Sequence, residues 1–416
     1  MYAFLNDCIL VILDRNYSKP NQKLQTMAST NNNPPLTLGM QKLINELKEI
    51  VANPVVEAAF NDAIANVQPI LLDGTKNQWI GKSVAYFVEY FEAWFTFLPT
   101  PIGGLGKIIP FTHLYLNNTK AFYFLNHFQS KKANATTFTK EIFNWTVDFI
   151  KERGRFMDSK ESLKYIQEWI QYPPTKIDDF IIPTGGFQSF NQFFIRELKP
   201  AANARPISNP KDPNILVSSA DAEINFIESE LTMTTKLNVK SRQINVGDLL
   251  LNSVYAPKFE GGTALSCVLL PGSYHRYHAP VGGDIVESQE VQGIYNGIID
   301  GDDWFNNYNI GESTTDFSIF EDFHRAYFIF KTKEYGYIAM IPVGLNTISS
   351  LFPSMVNKVS TMVPPGGTPV SIKKGEEVGH FAYGGSLNIL LFQPGVLQAA
   401  SVLQGQRIGI LNKPTN

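Results

Sequence analysis

The chain has 416 residues, of which 44% are apolar and 18% charged, so it can bury a large core, and wholesale disorder is excluded. A net charge of −3 gives neither nucleic acid nor an anionic membrane a favourable global field. The two cysteines, Cys8 and Cys267, are too far apart in sequence to suggest a disulfide framework, and they fit a reducing, cytoplasmic setting.

Residues 1–36 are predicted to be a flexible lead-in. Cys8 to Leu13 is apolar, but it is too short to span a bilayer and is flanked by Asp7 and Asp14. The start also lacks the basic region of a secretory signal, so Asn117, Asn134 and Asn144 are read as chance Asn-x-Thr matches.

Residues 37–172 read as a helical N-terminal domain. Leu43, Leu47, Ile50 and Val51 share one helical face, and Asn53-Pro54 ends the pattern. Val56, Ala59, Phe60, Ala63 and Val67 continue on a second helix. Val84 to Leu98 is strongly aromatic, but Glu89 and Glu92 make a spanning helix costly, which leaves a core-facing or interfacial helix. A Pro/Gly loop follows from Pro99 to Gly106. Further helices are expected over 138–152 and 159–171, the second opened by an Asp158/Glu161 capping box and striped by Leu163, Ile166 and Ile170. No His, Cys or carboxylate cluster with ligand spacing occurs in this part, which reads as a packed appendage to a catalytic core.

At Tyr172-Pro173-Pro174 the texture changes to short strands and turns, and residues 173–416 read as one catalytic domain. Ala264 to Leu270 is a continuous apolar run, as a buried strand gives, and Tyr327–Phe330 with Tyr337–Ile341 forms a hairpin through Glu334-Tyr335-Gly336. The expected fold class is α+β: a helical domain followed by a predominantly β core of sandwich or open-barrel type. The acidic, aromatic-flecked stretch 300–316 is expected to be a surface loop.

Near the C-terminus, Lys373 to Val378 reads as a solvated turn entering a strand. Gly384-Gly385-Ser386 then places a serine at the mouth of the apolar run Leu387 to Phe392. Alone this is an ordinary glycine turn before a core strand. Its company is more specific: Pro271-Gly272-Ser273-Tyr274-His275-Arg276-Tyr277-His278, Ser218-Ser219-Ala220-Asp221-Ala222, and Phe190-Asn191-Gln192-Phe193-Phe194-Ile195-Arg196 with Arg205-Pro206-Ile207.

In order and spacing these four blocks, from about Gly185 to Phe392, resemble the phosphatidylserine decarboxylase family of self-cutting proenzymes. The resemblance implies Ser386 as nucleophile, His278 as its base and Asp221 as the group that orients the base. Ser386 Oγ would attack the Gly385 carbonyl, giving an ester. Elimination and hydrolysis would then leave a pyruvoyl group in place of Ser386, the pyruvate-type cofactor of the family. A β fragment ending at Gly385 and an α fragment from residue 386 would stay together as partners. The new carbonyl would then condense with a substrate amine and withdraw electrons as carbon dioxide leaves, with His275 or His278 returning the proton.

Other readings stand beside these. His275 and His278 suit two metal ligands, but no third is evident nearby. Asp221 taken alone is a turn residue. Arg196 or Lys199 would anchor a carboxylate or phosphate, or make structural ion pairs. His380 is left unassigned, and His113, His127 and His324 read as ordinary histidines. The chain departs from the family at Leu387, where Thr or Ser is usual, and at Asp221-Ala222, where Asp-Gly is common.

The helical front resembles the layout of soluble family members acting on free amino acids, tryptophan among them. The expected substrate is therefore a small-molecule amino acid. The alternative is phosphatidylserine, and only then is a membrane a partner. A non-processing binding module is carried as well. A serine hydrolase ranks last for lack of a Gly-x-Ser-x-Gly elbow.

Overall fold

The computed structural model describes residues 34–71, 74–101, 106–114, 116, 118–121, 137–200, 203–233, 245–291, 293, 323–345, 351–352 and 362–399. Most of the expected lead-in, Cys8, Asn117, Asn134, His127, the acidic loop and the end of the expected α fragment lie outside the described residues.

The helices begin where the caps are. Helix α1, Leu38–Val51, starts at Thr37, whose Oγ1 accepts from the Met40 N–H at 3.1 Å. It buries Met40, Leu43, Ile44, Leu47 and Val51 on one face. Helix α2, Pro54–Ala65, starts at Asn53, whose side chain accepts from the Val55 N–H, with Pro54 in the first turn. The Asn-Pro pair that ends one pattern therefore opens the next.

Helix α3, Val84–Phe95, and helix α4, Thr137–Met157, complete the helical core. Phe91 sits at its centre, with ring centroids 4.8 Å from Phe149, 4.9 Å from Phe87 and 5.0 Å from Trp145. Trp145 Nε1 also donates to the Leu43 carbonyl at 2.7 Å, tying α4 to α1. Gly39 leaves room for the Glu152 carboxylate, into which a Cβ would run. Arg153 is buried and donates to the carbonyls of Trp94, Phe95 and Phe97, the end of α3. A cation there satisfies orphan carbonyls and the negative end of the helix dipole. The aromatic stripe of α3 is thus consumed inside the core, with Glu89 exposed, so this helix is core-facing rather than interfacial. Among the described residues no helix is long and apolar enough to cross a membrane.

The stretch expected as one helix over 159–171 is broken in two. A 3-10 turn, Lys160–Leu163, precedes helix α5, Ile166–Gln171. The Asp158/Glu161 capping box does not form. Ser159 takes the cap position without a side-chain bond, because its Oγ donates back to Phe156 O at 2.7 Å, and Asp158 is engaged by Asn191. Nor does the packing stop at the Tyr172-Pro173-Pro174 texture change. Phe187, Phe190, Phe193 and Phe194, on or beside the short helix α6 (Phe190–Phe194), join Trp169 and Tyr383 in the helical core.

Beyond lies the expected β architecture. Seven antiparallel strands run in the order β1-β2-β10-β6-β5-β4-β8: β1 Glu223–Ser229, β2 Thr263–Leu269, β4 Gly283–Val291, β5 Arg325–Lys331, β6 Tyr337–Leu345, β8 Val370–Ile372 and β10 Gly385–Phe392. A three-stranded sheet, β3 (Arg276–His278), β9 (Glu377–Phe381) and β7 (Leu351–Phe352), is ordered β3-β9-β7. Period-two alternation divides β10. Leu387, Ile389 and Leu391 pack with Val246, Leu249 and Phe259, while Leu390 and Phe392 pack toward Tyr277, Val378 and Phe381 of the smaller sheet. The β5–β6 hairpin closes as expected, with Lys331 opposite Tyr337 and Gly336 at φ +66°.

Removing the ring at the centre of the helical core leaves a cavity bordered by the rings of Phe87, Trp145 and Phe149. Phe91→Ala is expected to lower unfolding free energy by about 3–5 kcal/mol, read as a shifted urea midpoint.

Candidate active site

Ser386 is the second residue of β10, which is flanked on both sides: Ser386 lies opposite Leu269 of β2 and Gly344 of β6. It is 2% exposed, and its Oγ has no hydrogen-bond partner. A buried hydroxyl left unpaired costs about 1–3 kcal/mol, and Thr175, Ser266 and Tyr277 carry the same cost. Leu387 points to the opposite face and is fully buried in the outer core. The departure from the family pattern at this position is therefore a packing residue, pointed away from the serine side.

Asn388 shares the Ser386 face. It is fully buried; its Nδ2 donates to Ser219 Oγ at 2.8 Å, and the Ser219 carbonyl accepts the His278 N–H at 2.8 Å. One serine thus links the strand carrying Ser386 to the strand carrying His278, which brings three of the sequence blocks together. Cys267, opposite Asn388 in β2, is a buried thiol pushed up to about 12 by burial, and so is no competing nucleophile.

His278 Nδ1 donates to the Gly375 carbonyl at 2.9 Å, and its Nε2 meets the Tyr274 hydroxyl at 3.0 Å. A carbonyl only accepts, so Nδ1 carries the proton, and Nε2 is a lone pair receiving the tyrosine O–H. Burial holds the His278 pKa below the ordinary value, partly offset by the Gly375 bond. The turn that supplies this carbonyl is less solvated than the sequence suggested: Lys374 is buried, its Nζ donating to the carbonyls of Asp212 and Ile215.

Asp221 is not hydrogen-bonded to His278. Both of its oxygens are taken by Arg205, with Nε at 2.8 and 2.9 Å and Nη2 at 2.6 Å, and Arg205 also reaches Asp179 at 3.0 Å. The bond to Asp221 holds the guanidinium pKa above its usual value. The backbone carbonyl of Gly375 bonds the His278 ring nitrogen where the resemblance implied Asp221, whose charge reaches His278 only through space.

His275 is fully buried, stacked on Phe194 at 3.7 Å between centroids, and its Nδ1 donates to Ser273 O at 2.9 Å. Its Nε2 has no partner. Burial first, then the charge of Arg196, lowers its pKa to about 3, so the ring is neutral. Arg196 has its two terminal nitrogens committed to main-chain carbonyls, while its Nε has no partner. The side chain is buried and donates to the carbonyls of Phe193, Thr175, Gly272 and Ser273, which fixes the loop leading into His275. Lys199 donates to Asp178 O at the surface. Tyr274, Ser219, Arg205, Asn191 and Gly375 lie within the blocks or beside them, but nothing in their spacing foretells these bonds.

The family model described as phosphatidylserine decarboxylase matches residues 190–410. Among curated proteins, the chain is similar to the phosphatidylserine decarboxylase proenzyme of Fusobacterium nucleatum subsp. nucleatum, 30% identical over 274 residues, covering 65% of this chain and 80% of that one. It is also similar to the proenzyme of Clostridium novyi, 31% identical over 247 residues, with 59% and 74% covered. To the longer proenzyme 3 of Schizosaccharomyces pombe it is 30% identical over 281 residues, with 64% and 27% covered.

Three buried histidines resist protonation: His275 at about 3, His380 at about 4, and His278 lowered. Each takes up its proton near 6.5 in the unfolded chain but only at a lower pH in the folded one, so stability is full above about 6.5 and falls on acidification. On a Ser386→Ala background, urea unfolding at pH 7.5 and 5.0 should show His275→Gln losing about 2 kcal/mol less than its parent, from 1.5 pH units at ~1.4 kcal/mol each.

Proposed function

The chain belongs to the phosphatidylserine decarboxylase family, whose members are pyruvoyl-dependent carboxy-lyases, and on that premise we propose that it cuts itself between Gly385 and Ser386 and decarboxylates phosphatidylserine. The observation that carries the reading is the Ser386 hydroxyl, buried and unpartnered at the head of a central strand and linked through Asn388 and Ser219 to the strand of a histidine with a free-base Nε2.

The residues present fit the pyruvoyl group. Gly385 adds no side chain beside the carbonyl to be attacked. His278 Nε2 takes the hydroxyl proton, with its ring oriented by Gly375 and its lone pair held meanwhile by Tyr274. Asp221, neutralised by Arg205, favours the protonated His278 from a distance; a direct bond requires Arg205 to let go. Once formed at position 386, the pyruvoyl group supplies a carbonyl that withdraws electrons as carbon dioxide departs. His275, with its unpartnered Nε2 against Phe194, is assigned to proton handling in that later step. The fragments remain joined because residues 386–392 are paired to β2 and β6 along their length.

The free amino acid expected from the helical front has only that layout behind it. The relatives' names favour the lipid, and Leu387, where the chain departs from the family pattern, packs on the face away from Ser386.

Intact mass of denatured wild-type protein should give two fragments split at Gly385–Ser386, the smaller one with a pyruvoyl mass, and a single chain for Ser386→Ala. An uncut, folded wild type would overturn the reading. Phosphatidylserine in mixed micelles should then release carbon dioxide, whereas release from free amino acids, tryptophan included, would restore the earlier substrate. His278→Ala should slow cutting by roughly 10²–10⁴-fold. Cutting in the wild type should be level above about pH 6.5 and fall in acid, once the lowered His278 pKa is crossed.

A further inference from the structure

Ala382 to Gly385 bridges two cores. Phe381 is buried between the two sheets, whereas Tyr383 is buried among the aromatic rings of the helices. The Tyr383 ring lies edge-on to Phe190 at 5.3 Å and Phe194 at 5.4 Å, with the Arg153 guanidinium 5.9 Å from its centre. The Tyr383 N–H donates to Asn191 Oδ1 at 3.0 Å, and Asn191 Nδ2 donates to Asp158 Oδ1 at 2.9 Å. Asp158 closes the end of α4, its own N–H bonded to Gly154 O at 3.0 Å. Both ends of the Asn191 amide are thus committed, and its orientation follows from them: the oxygen must face the peptide N–H and the nitrogen the carboxylate.

We propose that Asn191 is a positioning residue for self-cleavage, through which the helical region holds the upstream side of the Gly385–Ser386 peptide in place for attack. The proposal rests on the processing reading above. The two residues of that peptide are already in the ladder, with Gly385 opposite Leu345 and Ser386 between Leu269 and Gly344. Upstream, the Asn191 bond to the Tyr383 backbone lies two residues before Gly385. In the attack, the Ser386 Oγ bonds to the Gly385 carbonyl carbon, the C–N bond breaks, and the hydroxyl proton ends on the freed amine. The product is an ester of unchanged mass. A displacement of about 1 Å between such reacting atoms can cost roughly 10²-fold in rate.

The test follows fragment appearance by intact mass, with and without neutral hydroxylamine, which cleaves an ester but leaves an amide. Folding of each variant is checked by circular dichroism and melting. Asn191→Leu should yield fragments at least roughly tenfold more slowly than wild type, and its uncut chain should resist hydroxylamine because the ester is never reached. Asn191→Asp should also be slow, since it sets two carboxylates against each other. Combining it with Asp158→Asn reverses the pair and should restore most of the rate, because the carboxylate at 191 then accepts from both neighbours. Wild-type speed in folded Asn191→Leu would overturn the proposal, as would a hydroxylamine-sensitive uncut chain or a folded reversed pair that stays slow. A wild-type chain that is never cut defeats the processing reading itself, a result distinct from any of these.

Discussion

The structure depends on β10 occupying the middle of the large sheet. A strand hydrogen-bonded on both edges has no freedom to slide, and a one-residue slip would exchange its faces. That rigidity allows one strand to hold Ser386 toward the smaller sheet and Leu387 toward the outer core. Ser386 sits near the head of that strand, where the backbone enters the ladder from Gly384 and from a turn packed against another part of the molecule.

That other part is the helical region. Its aromatic residues, which in the sequence suggested either a core or a surface that meets lipid, are spent on one another. The region meets the catalytic part at Tyr383 and at α6, a short helix that performs three tasks at once. Phe194 stacks on His275, Asn191 holds the Tyr383 backbone, and Phe190 and Phe193 close the helical core. Arg196, just after it, fixes the loop before His275. The aromatic density of the Phe190–Phe194 block follows from packing on both sides.

Much of this was legible in the sequence wherever a pattern repeats along the chain. Helical spacing located α1 to α4, continuous apolar runs located β2 and β10, and Gly336 marked the hairpin. Contacts between distant side chains were not legible. Asp158 and Glu161 have capping-box spacing, yet Asp158 bonds a residue 33 positions away, because a partner supplied by tertiary packing competes with the local one. Asp221 was paired with His278 by analogy of roles, whereas Arg205, a stronger bidentate partner, takes its carboxylate. The orienting group on His278 is a main-chain carbonyl, and no residue type in a sequence announces that. Leu387 departs from the residue usual in the family, and only the alternation of the strand shows that it packs on the face away from Ser386.

The pairing of β10 with β2 and β6 has a consequence for how such a protein persists. Before any cut, the central strand is delivered to its slot by a covalent tether, and folding is an event within one molecule. A break at the strand's head removes that tether while leaving the ladder intact. From then on the strand stays by the slowness of its departure, because re-forming the sheet would require two separate polypeptides to meet. The uncut chain and the cut one would then share a fold but not a folding reaction, so the order of events, assembly first and scission second, is written into the topology.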